Sequence, residues 1–302
     1  MKPIVVFSFP GNEVLADQIS HGIHAEIGKS IIDKFPDGES YVRILTDVKD
    51  KCLVIICSLN EPNEKLIELY FFCKTAKVLG AKKVLLVAPY LAYMRQDKMF
   101  NSGEAITSTY AAEFIAKFVD GIITIDPHLH RIKSLSEVYK IPNSVIHANA
   151  EISKWIKKNI HNPIIIGPDI ESKQWVSQVA KRAEAPFMVL TKTRLSASEV
   201  KISIPKMPFY KNETPVLVDD IISTAHTMLE TIKLLKEEGM KPAVCIGIHA
   251  VFAGNAYKEL MESGVDKIVT CNTISHSSNA IDLSNILIKE IQKLISKWNN
   301  AN

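Results

Sequence analysis

The run Val216-Leu217-Val218-Asp219-Asp220-Ile221-Ile222-Ser223-Thr224-Ala225-His226-Thr227 joins an apolar, β-branched segment to two carboxylates, then to hydroxyls, then to a helical pattern over residues 227–238. A buried strand that ends in polar groups and turns directly into a helix is the unit from which helix-covered parallel sheets are built. The same grammar repeats outward in both directions. Residues 3–9, 41–45, 52–58, 83–88 and 121–126 read as strands, with helices at 12–21, 62–79 and 103–118. In the second half, 144–147, 163–167, 187–190, 216–219, 243–249 and 267–271 read as strands, and 150–159, 172–183, 227–238 and 255–263 as helices. The class is α/β, with two similar domains, each a mainly parallel sheet flanked by helices. The break falls at Ile141-Pro142-Asn143, giving domains 1–142 and 143–302. A last helix over 280–298 carries Leu283, Leu287, Ile291, Leu294 and Trp298 as one apolar stripe, expected to pack on its own domain.

Composition narrows the function classes. The chain has 302 residues, 47% of them apolar, enough for about two ordinary domains. Its 36 Lys and Arg against 33 Asp and Glu leave a formal charge of +3, not the strong field of a nucleic-acid binder, so nucleic acid is not an expected partner. Apolar runs such as 4–7, 53–56 and 164–166 fall far short of the ~18 residues of a membrane span, and the run before Pro10-Gly11 is too brief for a secretion signal. Five cysteines, an odd number with no C-x-x-C pair, fit reduced thiols. The expected setting is the cytoplasm, with no membrane partner.

Ligands of open α/β sheets gather at the carboxyl ends of strands, and a loop entering a helix offers backbone N–H groups to phosphate. Ser223, Thr224 and Thr227 add hydroxyl donors. Asp219 and Asp220 would repel phosphate, so they suit sugar hydroxyls beside it. A phosphorylated sugar meets both demands. A plain strand–helix turn, its Asp, Ser and Thr only capping the helix, would carry the same residues, and taken alone the two readings stand even.

Five other stretches carry candidate chemistry; taken alone, 35–39 reads first as a Pro-Asp-Gly turn, 95–98 as a solvated charged loop, His128 as a hydrogen-bonding loop residue and 192–194 as a solubilising basic loop. Phe35-Pro36-Asp37-Gly38-Glu39 is a turn with an aromatic ring and two acids, and Arg95-Gln96-Asp97-Lys98 follows a strand closely. Phe stacks on bases, Arg stacks or binds phosphate, and Gln or Glu reads adenine edges or ribose. Thr124-Ile125-Asp126-Pro127-His128 puts an imidazole at a strand end, and Ile164-Ile165-Ile166-Gly167-Pro168-Asp169 ends a buried strand in a carboxylate, the better Mg²⁺ ligand on first principles. Lys192-Thr193-Arg194 sets two cations one residue apart in a polar stretch after a strand, read as a mobile loop able to close over a phosphate chain.

In this order, and over nearly the whole chain, the motifs resemble those of ribose-phosphate diphosphokinases; the loop at 219–227 also resembles the phosphoribosyl-diphosphate loop of type I phosphoribosyltransferases. The wording Ala88-Pro89-Tyr90-Leu91-Ala92-Tyr93 and Ser102-Gly103-Glu104-Ala105 is closer to the shorter archaeal-type members. The resemblance implies two phosphoribosyltransferase-like domains, ATP and D-ribose 5-phosphate as substrates, Mg²⁺ as cofactor and a homo-oligomer. It implies ATP contacts at Phe35, Asp37, Glu39, Arg95, Gln96 and Asp97. Metal duty falls to His128 and Asp169, with His130 a competitor, and catalytic duty to Lys192 and Arg194. Ribose 5-phosphate would meet Arg194, Asp219, Asp220, Ser223, Thr224, Ala225, His226 and Thr227. Two departures stand out: His226, where many members carry Gly, and Gly167-Pro168-Asp169-Ile170-Glu171-Ser172, where a Gly-rich stretch is frequent. Besides the diphosphokinase, a type I phosphoribosyltransferase and a non-catalytic regulatory relative share parts of this pattern. A transferase would have no need of the stretches at 35–39 and 95–98.

Overall fold

The computed structural model describes residues 3–129, 131–168, 172–194, 200–203, 210 and 212–300. The chain divides into two compact units, Met1–Ile146 with Leu283–Asn302, and His147–Asp282.

Unit 1 runs β1 (Ile4–Ser8), α1 (Glu13–Ile23), β2 (Glu26–Ile27), β3 (Ser30–Lys34), β4 (Ser40–Ile44), β5 (Cys52–Ile56), α2 (Pro62–Val78), β6 (Lys83–Ala88), α3 (Thr107–Ala116), β7 (Gly121–Ile125) and β8 (Asn143–Ile146). Six strands form one parallel sheet, ordered β2-β1-β5-β6-β7-β8, while β3 and β4 pair antiparallel as a separate hairpin. β5 and β7 are buried at every position, as strands covered on both faces must be. Phe7, Phe9 and Phe72 pack edge to face within the core, their centroids 5.0 to 5.6 Å apart.

Unit 2 runs α4 (Asn149–Asn159), β9 (Pro163–Gly167), α5 (Lys173–Ala183), β10 (Phe187–Val189), β11 (Thr191–Arg194), β12 (Val200–Ser203), β13 (Thr214–Ile222), α6 (His226–Glu237), β14 (Val244–Ala250), α7 (Ala256–Glu262), β15 (Lys267–Cys271) and β16 (Asn279–Ile281). Its sheet is again six parallel strands, β10-β9-β13-β14-β15-β16, with β11 and β12 a detached antiparallel hairpin. The α/β expectation of two helix-flanked parallel sheets therefore describes the fold.

The last helix, α8 (Ser284–Asn300), departs from expectation. The boundary at 142/143 left it with the second domain, yet it packs in unit 1. A Cβ on Gly22 of α1 would overlap the Ile288 side chain, Trp298 lies against Gly121, and Ser144 donates to Glu290 at 2.7 Å. The helix also begins at Ser284 rather than 280, because residues 279–281 pair with β15. α3 likewise starts four residues late. The Glu104 carboxylate accepts the Asn101 side chain and the amides of Asn101 and Phe100, which holds its pKa below the usual range and keeps 100–104 as a turn.

Candidate functional site

β13 continues through Ile222, so Asp219 and Asp220 sit inside the strand rather than beyond it. The strand accommodates them near its exposed end because each half-buried carboxylate accepts the next amide. Asp220 N–H donates to Asp219 Oδ1 at 3.0 Å, and Ile221 N–H to Asp220 Oδ1 at 2.8 Å. Ser223 is half-buried, Thr224 exposed, and Ala225 adopts φ +58° immediately before His226 opens α6. A left-handed alanine is costly for an L-residue, and it turns the chain abruptly into the helix.

No side chain caps α6. The residue at the N-cap position is Ala225, which carries no polar group of its own to cap the helix. The first-turn amides of such a helix face the preceding loop and carry its partial positive charge. His226 is exposed and is not among the positive-φ residues; the left-handed position belongs to Ala225. The loop after β14 matters too. Phe252 N–H donates to Ile222 O at 2.8 Å and Ala253 N–H to Ser223 O at 3.1 Å, tying a second loop to this one.

In unit 1, residues 35–39 form the tip of the β3–β4 hairpin. Phe35 N–H donates to Glu39 O and Gly38 N–H to Phe35 O, both at 2.8 Å, with Gly38 at φ +93°. Phe35 is 49% exposed, its ring edge-on to Tyr41 at 5.7 Å, and Asp37 and Glu39 are exposed. A solvent-facing aromatic on a hairpin tip is available for stacking. Arg95 is exposed and Gln96 half-buried, the Gln96 carbonyl accepting from Ser108 N–H at 3.2 Å. Asp97 differs: its side chain is only 2% exposed and pairs with Arg131, whose Nη1 lies 3.1 and 3.4 Å from the two carboxylate oxygens. Arg131 also lies 5.3 Å from the centroid of the Phe100 ring. No sequence motif marked Arg131, since a lone Arg carries no spacing signal.

Asp126 follows β7, 9% exposed, at φ +34°, its N–H on Ile146 O at 2.9 Å; His128 is half-buried two residues on. His130 and Asp169 lie outside the described residues. Among the described residues no three metal-binding side chains cluster. Gly167, just before Asp169, is closely backed: a Cβ there would lie 2.9 Å from Val176 Cγ2. Lys192 and Arg194 are placed in a strand rather than on the expected loop: β11 pairs Lys192 with Ile202 and Arg194 with Val200 of β12. Antiparallel pairing holds the backbone that the polar sequence marked as free.

Residues 4–118 match the N-terminal domain of ribose phosphate pyrophosphokinase, and residues 134–284 the phosphoribosyl transferase domain. A ribose-phosphate pyrophosphokinase of Saccharolobus solfataricus is 33% identical over 244 residues, covering 80% of this chain and 83% of that one. Ribose-phosphate pyrophosphokinase 2 of Archaeoglobus fulgidus is 32% identical over 282 residues, covering 93% and 98%. A phosphoribosylpyrophosphate synthetase structure from Mycobacterium smegmatis superposes with a TM-score of 0.84 at 21% identity, over 98% of this chain and 100% of that one, a likeness of fold. With both halves matched in order, the chain belongs to the ribose-phosphate pyrophosphokinase family.

Proposed function

We propose that the protein transfers the β,γ-diphosphoryl group of ATP to the C1 hydroxyl of D-ribose 5-phosphate, giving 5-phosphoribosyl 1-diphosphate and AMP. The observation that carries this reading is the entry to α6: an uncapped helix N-terminus behind a hydroxyl-bearing turn, flanked by two strand carboxylates. That combination offers amides to a phosphate and carboxylates to sugar hydroxyls.

Phosphoryl transfer is mostly positioning and charge neutralisation. Ser223, Thr224, Ala225, His226 and Thr227 would hold the sugar phosphate, and Asp219 and Asp220 the ribose hydroxyls. Phe35 would stack on the base, with Asp37, Glu39, Arg95 and Gln96 around the nucleotide; Asp97 would serve it through Arg131 and the loop they brace. Lys192 and Arg194 would meet the negative charge that gathers on the moving group, Arg194 also reaching the sugar.

Mg²⁺ keeps several waters and takes one or two protein ligands beside substrate phosphates. His128 is half-buried just beyond the end of β7, a strand end being where such an ion and its substrate phosphates would gather. His128 and Asp169 are the residues that would hold it, directly or through its waters. Bound there, the ion would neutralise phosphate charge. The family also implies a homo-oligomer, which sedimentation tests, and a cytoplasmic setting, which suits five free, buried cysteines.

The deciding experiment mixes protein, Mg²⁺, ATP and ribose 5-phosphate. Formation of AMP with an equal amount of the diphosphate product is expected. No AMP from folded protein overturns the reading, and consumption of the diphosphate with a free base would make the protein a transferase instead.

A further inference from the structure

We infer that Phe252 is a positioning residue for the sugar-phosphate loop; the inference rests on the reading of residues 223–227 given above. β14 ends at Ala250, beside β13, with Ile222 opposite Ala250. The chain then turns back so that Phe252 N–H reaches Ile222 O at 2.8 Å and Ala253 N–H reaches Ser223 O at 3.1 Å.

These bonds orient amides as well as carbonyls. In a planar trans peptide the N–H points opposite to the C=O of the same unit. With the Ile222 and Ser223 carbonyls drawn toward residues 252 and 253, the N–H groups of Ser223 and Thr224 are aimed away from them. Those are the two amides that lead into the left-handed Ala225 and the first turn of α6.

Phe252 holds this geometry at a cost. Its φ is +40°, unfavourable for a bulky L-residue, whereas Gly254 nearby has φ +60° and open space around its Cβ position. A glycine at 252 would ease the backbone but would remove the ring. The ring is anchored twice: its centroid lies 5.1 Å from Tyr257 on α7 and 4.7 Å from His276 in the β15–β16 connection, which themselves lie 4.6 Å apart. Strain of this kind persists only where the surroundings over-determine it. Here three aromatic rings brace the bend that fixes the carbonyls of Ile222 and Ser223.

The test uses the full chain and Phe252→Ala, with Phe252→Leu as a milder variant that keeps apolar bulk. Binding of ribose 5-phosphate, inorganic phosphate and ATP is measured by calorimetry, alongside steady-state rates and a melting curve. Phe252→Ala is expected to weaken ribose 5-phosphate and phosphate about tenfold and to raise the KM for ribose 5-phosphate alike, because misaimed donors lose affinity steeply. ATP affinity is expected to stay within about twofold of the parent, since the clamp's hydrogen bonds go to residues 222 and 223. Phe252→Leu follows in the same direction with a smaller change. Unchanged ribose 5-phosphate affinity in either folded variant overturns the inference, as does equal weakening of both substrates, the mark of a general loss of structure. If the parent chain itself binds no ribose 5-phosphate, the reading of the loop fails, a result distinct from a variant that binds as well as the parent.

Discussion

The two units are built to one plan. In each, the second strand lies at the sheet edge beside the first, strands three to six follow in order, and an antiparallel hairpin is inserted between the second and third. In each, a non-glycine residue in the left-handed region leads into the helix after the third strand, Glu61 at φ +51° before α2 and Ala225 at φ +58° before α6. In the loop after the fourth strand, each also holds an aromatic residue at positive φ, Tyr93 and Phe252. The contents of the equivalent loops differ. In unit 1, Asn12 Oδ1 accepts the Ser58 N–H at 3.0 Å, and Lys65 Nζ donates to Ser58 O at 3.0 Å and Asn60 Oδ1 at 2.8 Å, while Cys57 and Leu59 are buried. Burial pushes the Cys57 thiol up to about 12 and lowers Lys65. Pro62 opens the helix and has no N–H to give. One loop has closed on itself; under the proposed function the other offers hydroxyls and helix amides to a ligand. Under that proposal the same scaffold would serve two tasks, with function lying in what each loop carries.

The largest expected effect is on the second hairpin. Lys192→Ala should slow turnover by about 10²–10³ while ATP still binds; near-normal turnover would remove the catalytic role proposed for β11. Next in size, Gly22→Val should destabilise unit 1 by about 1–3 kcal/mol, because its side chain meets Ile288 of α8. Thermal melting would register it, and an unaltered melt would dissociate α8 from unit 1. Arg131→Gln probes the other nucleotide element. The partly exposed Arg131 holds a buried carboxylate, so about 1 kcal/mol, a fivefold loss of ATP affinity, is expected with ribose 5-phosphate affinity unchanged. Equal losses for both substrates would erase the functional contrast between the units.

The smallest effect is a pH slope. Burial lowers the pKa of His276 below its ordinary 6.5, and its Nδ1 accepts the Ser278 N–H at 3.1 Å, which favours the neutral ring. Below about pH 6.5 the unfolded chain takes up this proton before the folded one, so unit 2 loses stability as pH falls until the folded pKa is passed. His276→Gln should flatten that part of the stability–pH curve in chemical denaturation. A slope that survives the substitution would assign it to another group.

Sequence patterning exposes the parallel strands because each is a short apolar run with both faces covered, as β5, β7 and β14 are. The strands β3, β11 and β12 stay hidden. Ser30–Lys34 has no fully buried residue, and Thr191–Arg194 is polar throughout, so neither shows an apolar period of two. The stripe on residues 280–298 marks a helix but holds no information on which sheet it covers. Within the site, the acids and hydroxyls are visible as residue types. The left-handed alanine is not, because only glycine announces such a position. Arg131 and Phe252 act through partners distant in sequence, and single residues of that sort have no spacing to read.

The return of α8 also sets an order of events. Unit 2 occupies the middle of the chain, and unit 1 takes in α8, whose Leu287, Ile291 and Leu294 are buried. A ribosome adding ~5–20 residues per second takes on the order of ten seconds to pass from Ile146 to Leu283. During that interval unit 1 lacks α8, while unit 2 can finish. The domain begun first is thus completed last, with the flank of α1 that receives α8 bare until the end.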